Sequence, residues 1–257
     1  MTTVSTKSGR IIKVVSREEE KSTLTESDSE MDERAVETVK AAINKAKICK
    51  KPIAGYDKEK KRAYVEYANG KESMQNRKPM ILVLAGPNGS GKSTITTFFD
   101  KVGKYTNADD VVATTGMNNM EAAVLVDRMR YESIAKKEDF TFETVLSSEY
   151  KLNILRKAKE EGYFIKCVFM LTVDPQINIA RIESRVAAGG HNVDSSKVIE
   201  RYYKSINNIK ELLDICDIMH VYDNTNSPER IIRKHKEELS IYPNEYWSEQ
   251  DILELME

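Results

Sequence analysis

Met80-Ile81-Leu82-Val83-Leu84-Ala85-Gly86-Pro87-Asn88-Gly89-Ser90-Gly91-Lys92-Ser93-Thr94 is the stretch on which the reading of this chain turns. An apolar run rich in β-formers ends at a glycine, and the pattern Gly-x-x-x-x-Gly-Lys-Ser follows from Gly86 to Ser93. A buried strand, a glycine loop and a helix start, in that order, make a phosphate-binding loop. The residue types answer to the chemistry. Glycines let the backbone wrap close to phosphate oxygens and turn successive N–H groups inward. A helix opening at Lys92 adds the positive end of its dipole. The Lys92 ammonium can reach the β- and γ-phosphates of ATP, and the Ser93 hydroxyl can coordinate Mg²⁺. The nucleotide-binding candidates are therefore Gly86, Pro87, Asn88, Gly89, Ser90, Gly91, Lys92, Ser93 and Thr94, with Ser93 also the metal candidate.

Around this loop, 257 residues leave room for one α/β domain and something smaller. A net charge of −1 gives no global case for nucleic acid or a membrane surface as partner. No apolar run approaches the ~18 residues that suggest a membrane span, and the N-terminus lacks the apolar centre of a secretory signal. The three cysteines, Cys49, Cys167 and Cys216, lie far apart, and two fall in apolar runs. They read as free thiols rather than a disulfide or a metal site, and the expected location is cytoplasmic.

In chain order, residues 1–31 are polar apart from Ile11 to Val15 and read as a mostly disordered tail. Asp32 is placed to cap a helix reaching about Cys49, with Ala35, Val39, Ala42, Ile43 and Ala46 on one face. Pro52 stops it, and two short β-rich runs then read as a hairpin ending at Asn69-Gly70. Residues 32–70 thus form a small helix–hairpin unit, 71–78 a polar linker, and 79–257 the main domain.

Within that domain the expected order is a helix from Ser93 to about Lys101, a short strand from Tyr105 to Asp110, and a helix from Asn119 to Lys137 with Val124, Tyr131 and Ala135 on one face. A strand at Phe140–Thr144 follows, then a helix closed by Gly162, a central strand from Tyr163 to Leu171, and a helix opened by Pro175. Asp194 or Ser195 caps a helix with the stripe Val198, Tyr202, Ile206, Ile209 and Leu213; a last strand spans Ile215–Tyr222, and Ser227 caps a final basic helix. Strands alternating with helices imply a parallel sheet in a three-layer α/β P-loop fold, with ligands at the carboxyl ends of the strands.

Several other P-loop classes are excluded. A transporter ATPase needs a second glycine signature and a strand ending in Asp-Glu, and a switch GTPase needs a guanine motif; neither occurs. A small-molecule kinase needs a carboxylate base, polar groups that orient the acceptor, and arginines that close over the phosphoryl group. Asp109 supplies the base, with Asp110 beside it as the alternative. Glu143 and Thr144 can orient substrate or a Mg²⁺-bound water. Arg181 and Arg185, one turn apart, and Arg201 are the arginine candidates, and Ala187 to Lys197 is a lid candidate that includes His191. Tyr222 to Thr225 falls where adenine could dock.

Taken in order, Gly-Pro-Asn-Gly-Ser-Gly-Lys-Ser-Thr, Asn107-Ala108-Asp109, Phe140-Thr141-Phe142-Glu143-Thr144, the run from Arg185 to Val193 and Arg201-Tyr202-Tyr203 resemble the zeta-toxin family of P-loop kinases, in its chromosomal zeta-like branch, over residues 79–230. The resemblance implies ATP-dependent phosphorylation of the sugar 3′-hydroxyl of UDP-N-acetylglucosamine, a sugar nucleotide. It implies Lys92 and Ser93 on ATP–Mg²⁺, Asp109 as base, Glu143 and Thr144 on the substrate, and Arg185 and Arg201 on the phosphoryl group; His191 reads separately as a lid or substrate contact. Val145 departs from the family's frequent threonine. The resemblance also implies inhibition by an antitoxin, either a separate protein or the 32–70 unit acting in cis. Two other readings stay open: a kinase for another small or nucleotide-like substrate, and an ATP-binding regulatory module with low turnover.

Overall fold

The computed structural model describes residues 2–5, 11–14, 26–59, 62–67, 72–74, 78–189 and 193–257. The chain divides into two compact units, one of Met1–Glu20 with Pro79–Glu257 and one of Lys21–Lys78.

The larger unit is built on a nine-stranded sheet. Its strands, numbered along the whole chain, are β1 (Thr2–Ser5), β2 (Ile11–Val14), β6 (Met80–Ala85), β7 (Lys104–Thr106), β8 (Phe140–Thr144), β9 (Phe164–Leu171), β10 (Ile218–Asp223), β11 (Glu229–His235) and β12 (Glu238–Ile241). Their order across the sheet is β1-β2-β12-β11-β10-β9-β6-β8-β7. From β10 to β7 every pairing is parallel, as the alternation of strands and helices requires. β6 lies between β8 and β9, so the glycine loop leaves the carboxyl edge at the middle strand of the five-stranded parallel part, β10-β9-β6-β8-β7.

Alternation along the strands sorts the two faces. Ile81, Val83 and Ala85 of β6, Cys167, Phe169 and Leu171 of β9, and Met219 and Val221 of β10 join one large buried cluster. It is covered by Leu152, Ile154 and Leu155 from α5 (Glu149–Glu160), by Tyr202 and Ile206 from α7 (Ser195–Asn207), and by Leu212 and Leu213 from α8 (Ile209–Ile215). Trp247 and Ile252, the latter on α9 (Glu249–Glu254), complete it, with Leu253 and Leu255 packed alongside. On the other face Leu82, Leu84 and Val168 form a small cluster with Ile95, Phe99, Val102 and Tyr222.

Several elements differ from the sequence reading. The helix after the glycine loop, α2, spans Lys92–Ile95 and passes into a 3-10 turn at Thr96–Phe98 instead of running to Lys101. The β-branched run Thr94-Ile95-Thr96-Thr97 resists helix, and the Thr96 hydroxyl bonds back to Lys92 O at 2.8 Å. β7 ends at Thr106, and Asp109 and Asp110 lie in the first turn of α3 (Ala108–Thr115) rather than on a strand. Asn107 caps that helix by accepting from Asp109 N at 3.0 Å, and the acids suit the positive end of its dipole.

In α4 (Asn119–Ala135) the buried side carries Ala122, Val126 and Ile134 together with Asp127, Arg130 and Ser133; Val124 and Ala135 are exposed. The final basic helix is instead the hairpin β11–β12, with β11 antiparallel to β10. A register shift at Val221/Tyr222 lets both Ile231 and Ile232 be fully buried.

At the opposite end of the sheet, β1 and β2 pair antiparallel and β2 runs parallel to β12, where a tail was expected. The smaller unit holds α1 (Glu26–Ile48), which starts before Asp32, and a three-stranded antiparallel sheet of β3 (Ile53–Asp57), β4 (Arg62–Glu66) and β5 (Glu72–Met74). The hairpin is as read, and β5 falls in what reads as linker. Asn69-Gly70 lies outside the described residues.

Candidate active site

The glycine loop is a backbone nest. Gly89 and Gly91 adopt φ of 77° and 94°, a left-handed region that favours glycine. A Cβ on Gly89 would sit 2.5 Å from Asn178 O, and one on Gly91 2.3 Å from Asn224 Nδ2. Among the described residues no backbone or side-chain hydrogen bond is recorded for the amides of Gly89, Gly91, Lys92 and Ser93. Ser90 Oγ and Asn88 Oδ1 are likewise buried without a partner. A cradle with unsatisfied amides suits a polyphosphate.

Lys92 is buried and donates from Nζ to Pro87 O at 2.7 Å. Burial pulls its ammonium down to about 8; the Glu143 and Asp109 carboxylates act in the opposite sense, and Arg185 pushes it lower still. Four groups that the sequence spreads from residue 92 to residue 185 therefore share one electrostatic environment.

Glu143, at the carboxyl end of β8, is the most contacted of them. Its Oε1 accepts from Ser93 Oγ at 3.1 Å, and its Oε2 accepts from Tyr105 OH at 3.1 Å and Thr96 Oγ1 at 3.4 Å. The carboxylate thus stands beside the loop serine. Burial, helped by the Glu143 charge, pushes the Tyr105 phenol well above its usual range, so it remains a donor to Glu143. Thr144 Oγ1 accepts from Leu146 N at 3.1 Å, which shapes the turn after β8. Asp109 is exposed on α3.

The arginines separate. On α6 (Pro175–Ala187), Arg181 Nη2 donates to Asn224 O and Thr225 O at 2.8 and 2.9 Å, binding the loop after β10. Arg185, one turn further, is exposed and within electrostatic reach of Lys92. Arg201 lies on the exposed side of α7; among the described residues no hydrogen bond or ion pair joins it to the glycine loop. His191 lies outside the described residues, as do Gly190 and Asn192 of the lid stretch.

Sequence reasoning missed the contacts of four side chains, one of which, Asn224, it places only in the adenine-docking stretch. Tyr105 bonds Glu143, while Asn178 and Asn224 bond the glycine loop from 90 and 134 residues away. The fourth is Arg130, 2% exposed, which donates to Asp127 Oδ1 at 2.7 Å, Thr106 Oγ1 at 3.0 Å and Thr106 O at 3.2 Å, with its guanidinium 4.3 Å from the centre of the Phe142 ring. It pins the ends of the strands that lead to Asp109 and Glu143. Only the Asp127–Arg130 pair, three apart on a helix, left a signal in the sequence.

Among the described residues no group of three or more His, Cys, Asp and Glu side chains is arranged to hold a metal ion, and no helix is long and apolar enough to cross a membrane. The oxygen set around Ser93 and Glu143 is of the hard kind that suits Mg²⁺ shared with phosphate oxygens.

A mostly parallel sheet with a glycine loop leaving the middle strand of its parallel part defines an α/β P-loop fold, the class of nucleotide-binding proteins. More narrowly, the chain belongs to the zeta toxin family: that family's sequence profile matches residues 104–245, over half of the chain. An uncharacterized protein of Haemophilus influenzae is 29% identical over 135 residues, which cover 50% of this chain and 94% of that protein. Among solved structures, the AvrRxo1-ORF1:AvrRxo1-ORF2 complex with sulphate ions is similar at a TM-score of 0.48 and 13% identity, over 65% of this chain and 61% of that one. The PezAT chromosomal toxin–antitoxin system of Streptococcus pneumoniae is similar at a TM-score of 0.44 and 15% identity, over 60% of this chain and 71% of that one.

Proposed function

We propose that this chain transfers the γ-phosphoryl group of ATP to the sugar 3′-hydroxyl of UDP-N-acetylglucosamine, and that the 32–70 segment, which lies within the compact unit Lys21–Lys78, restrains that activity in cis. The observation that supports the kinase reading is the Glu143 carboxylate bonded to Ser93 of the glycine loop, with Asp109 and Arg185 within electrostatic reach of Lys92. A loop that only bound nucleotide would not require a carboxylate and an arginine beside the lysine that meets the terminal phosphates.

In this reading the amides of Gly89, Gly91, Lys92 and Ser93 and the Lys92 ammonium take the β- and γ-phosphates, and Lys92 gives up its bond to Pro87 O to do so. Asp109 accepts the proton of the acceptor hydroxyl as that oxygen forms its bond to γ-phosphorus. The bond from γ-phosphorus to the β–γ bridging oxygen breaks, and ADP leaves with the electron pair. Arg185 balances the charge that develops on the transferring group. Ser93 Oγ, steadied by Glu143, would hold Mg²⁺ together with ATP; the ion supplies charge neutralisation along the β- and γ-oxygens. Thr144 and His191 would contact the acceptor, and Arg201 the transferring phosphoryl group.

The test is phosphate transfer with Mg-ATP and UDP-N-acetylglucosamine, read as a mass gain on the sugar nucleotide, for the wild-type chain and Asp109→Asn. Product from the wild type and at least ~100-fold less from Asp109→Asn, with ATP binding kept, is the expected result. ATP hydrolysis or binding without a phosphorylated sugar nucleotide would move the acceptor to another small molecule. Equal turnover by Asp109→Asn would remove Asp109 from the role of base and leave Asp110 to be tested.

A further inference from the structure

Three carbonyls of the glycine loop are each held by a side-chain nitrogen. Pro87 O takes Lys92 Nζ at 2.7 Å, Asn88 O takes Asn178 Nδ2 at 2.8 Å, and Ser90 O takes Asn224 Nδ2 at 2.8 Å. The lysine bond is the one that ATP phosphates replace. The two asparagine bonds come from outside the loop, one from α6 and one from the segment after β10. Asn178 is 0% exposed and has its own Oδ1 fixed by the Thr172 hydroxyl. Arg181, one turn along α6 from Asn178, closes the set by donating to Asn224 O and Thr225 O.

We propose that Asn178 and Asn224, joined through Arg181, are positioning residues that hold the Asn88 and Ser90 carbonyls away from the phosphates, so that the loop amides face ATP. The inference rests on the nucleotide reading above and adds to it. A carbonyl oxygen turned into the nest would repel a phosphate oxygen, so the orientation of each peptide in the loop bears directly on affinity. Asparagine suits the task because it offers a neutral donor. A lysine or arginine at the same place would compete for the phosphates themselves. Helix α6 also carries Arg185, four residues beyond Arg181, so one rigid element links the seat of the phosphates to the arginine proposed to act on them.

The experiment uses the full chain with Asn224→Ala, Asn178→Ala and the donor-keeping Asn224→Gln. ATP and AMP affinities are measured by titration, alongside the unfolding midpoint and the KM for ATP. The expected result for Asn224→Ala is a Kd and a KM for ATP raised at least about tenfold, an AMP affinity changed less than about threefold, and partial recovery in Asn224→Gln. A merely structural asparagine would lower the unfolding midpoint and leave the ATP-to-AMP preference where it was. Asn178 is fully buried, so its variant can fail to fold; Asn224, half-buried, keeps the proposal open to refutation. Wild-type binding of ATP with an unchanged affinity in folded Asn224→Ala overturns this inference alone. A wild-type chain that binds no ATP overturns the proposed function, and this inference with it.

Discussion

Lys92 shows how a single residue trades stability for function. Its pKa falls from 10.5 in the free side chain to about 8 in the folded protein, chiefly through burial. The sign follows from the proton count. Between pH ~8 and ~10.5 the unfolded chain keeps a proton that the folded chain has released, so stability rises with pH across that window. At pH 7 the charged, buried ammonium costs about 3 kcal/mol against a neutral group. Lys92→Met should therefore stabilise the nucleotide-free protein by about 2 kcal/mol, after about 1 kcal/mol is given back for the lost bond to Pro87 O. Phosphoryl transfer should fall by at least about a hundredfold in the same variant. Denaturant unfolding reads the first effect, and a less stable Lys92→Met would contradict it. If ATP phosphates meet Lys92 as proposed, they restore its proton, and calorimetry in two buffers should show proton uptake on binding at pH 9 and little at pH 7. The loop itself was legible because its chemistry is packed into consecutive residues. Tyr105, Asn178 and Asn224 were not, because each becomes functional only through a partner distant in sequence.

At the scale of the element, α4 carries two acid–arginine pairs with opposite prospects. Arg128 and Glu132 pair at 3.1 Å with side chains 78% and 52% exposed. Arg130 and Asp127 pair at 2.7 Å with side chains 2% and 7% exposed, and Asp127 also takes Lys151. Water screens the first pair, and Arg128→Ala should change stability by less than about 0.5 kcal/mol. Arg130→Met leaves Asp127 dependent on Lys151 alone and frees the Thr106 carbonyl, so a loss of about 3 kcal/mol is expected. Urea unfolding of the two variants side by side checks the contrast, and equal effects would contradict it. The same helix explains one misreading. Val124, Tyr131 and Ala135 share a face by spacing, but only Tyr131 packs against the core, and the side turned inward is the one that supplies Arg130 to β7 and β8. The segment after Ser227 was misread for a related reason. Local composition there favours helix, and pairing with β10 outweighs it.

For the molecule as a whole, the sheet decides how the smaller unit can be removed. β2 lies along β12, so a fragment starting after residue 75 loses β1 and β2 and bares the β12 edge. Replacing residues 21–78 by a flexible Gly/Ser linker leaves both strands on the chain. If the 21–78 unit restrains the kinase, the linker variant should phosphorylate the acceptor several-fold faster than the full chain, and the short fragment should be the less stable of the two in an unfolding assay. Equal rates for the linker variant and the full chain would discard the restraint and keep the kinase.

The sequence by itself determined the glycine loop, the central strand Phe164–Leu171, the helix opened by Pro175, the stripe from Val198 to Leu213 and the positions of Asp109 and Glu143 near strand ends. These depend on local chemistry and on periodicity, which neighbouring residues carry. Only the tertiary structure decided that β1 and β2 join the sheet and that the chain from Glu229 to Ile241 is a hairpin. It alone brought Glu143 against Ser93 and two asparagines against the loop carbonyls. Such contacts form when distant segments are brought together, and the energy that selects them is shared between partners that the sequence keeps apart.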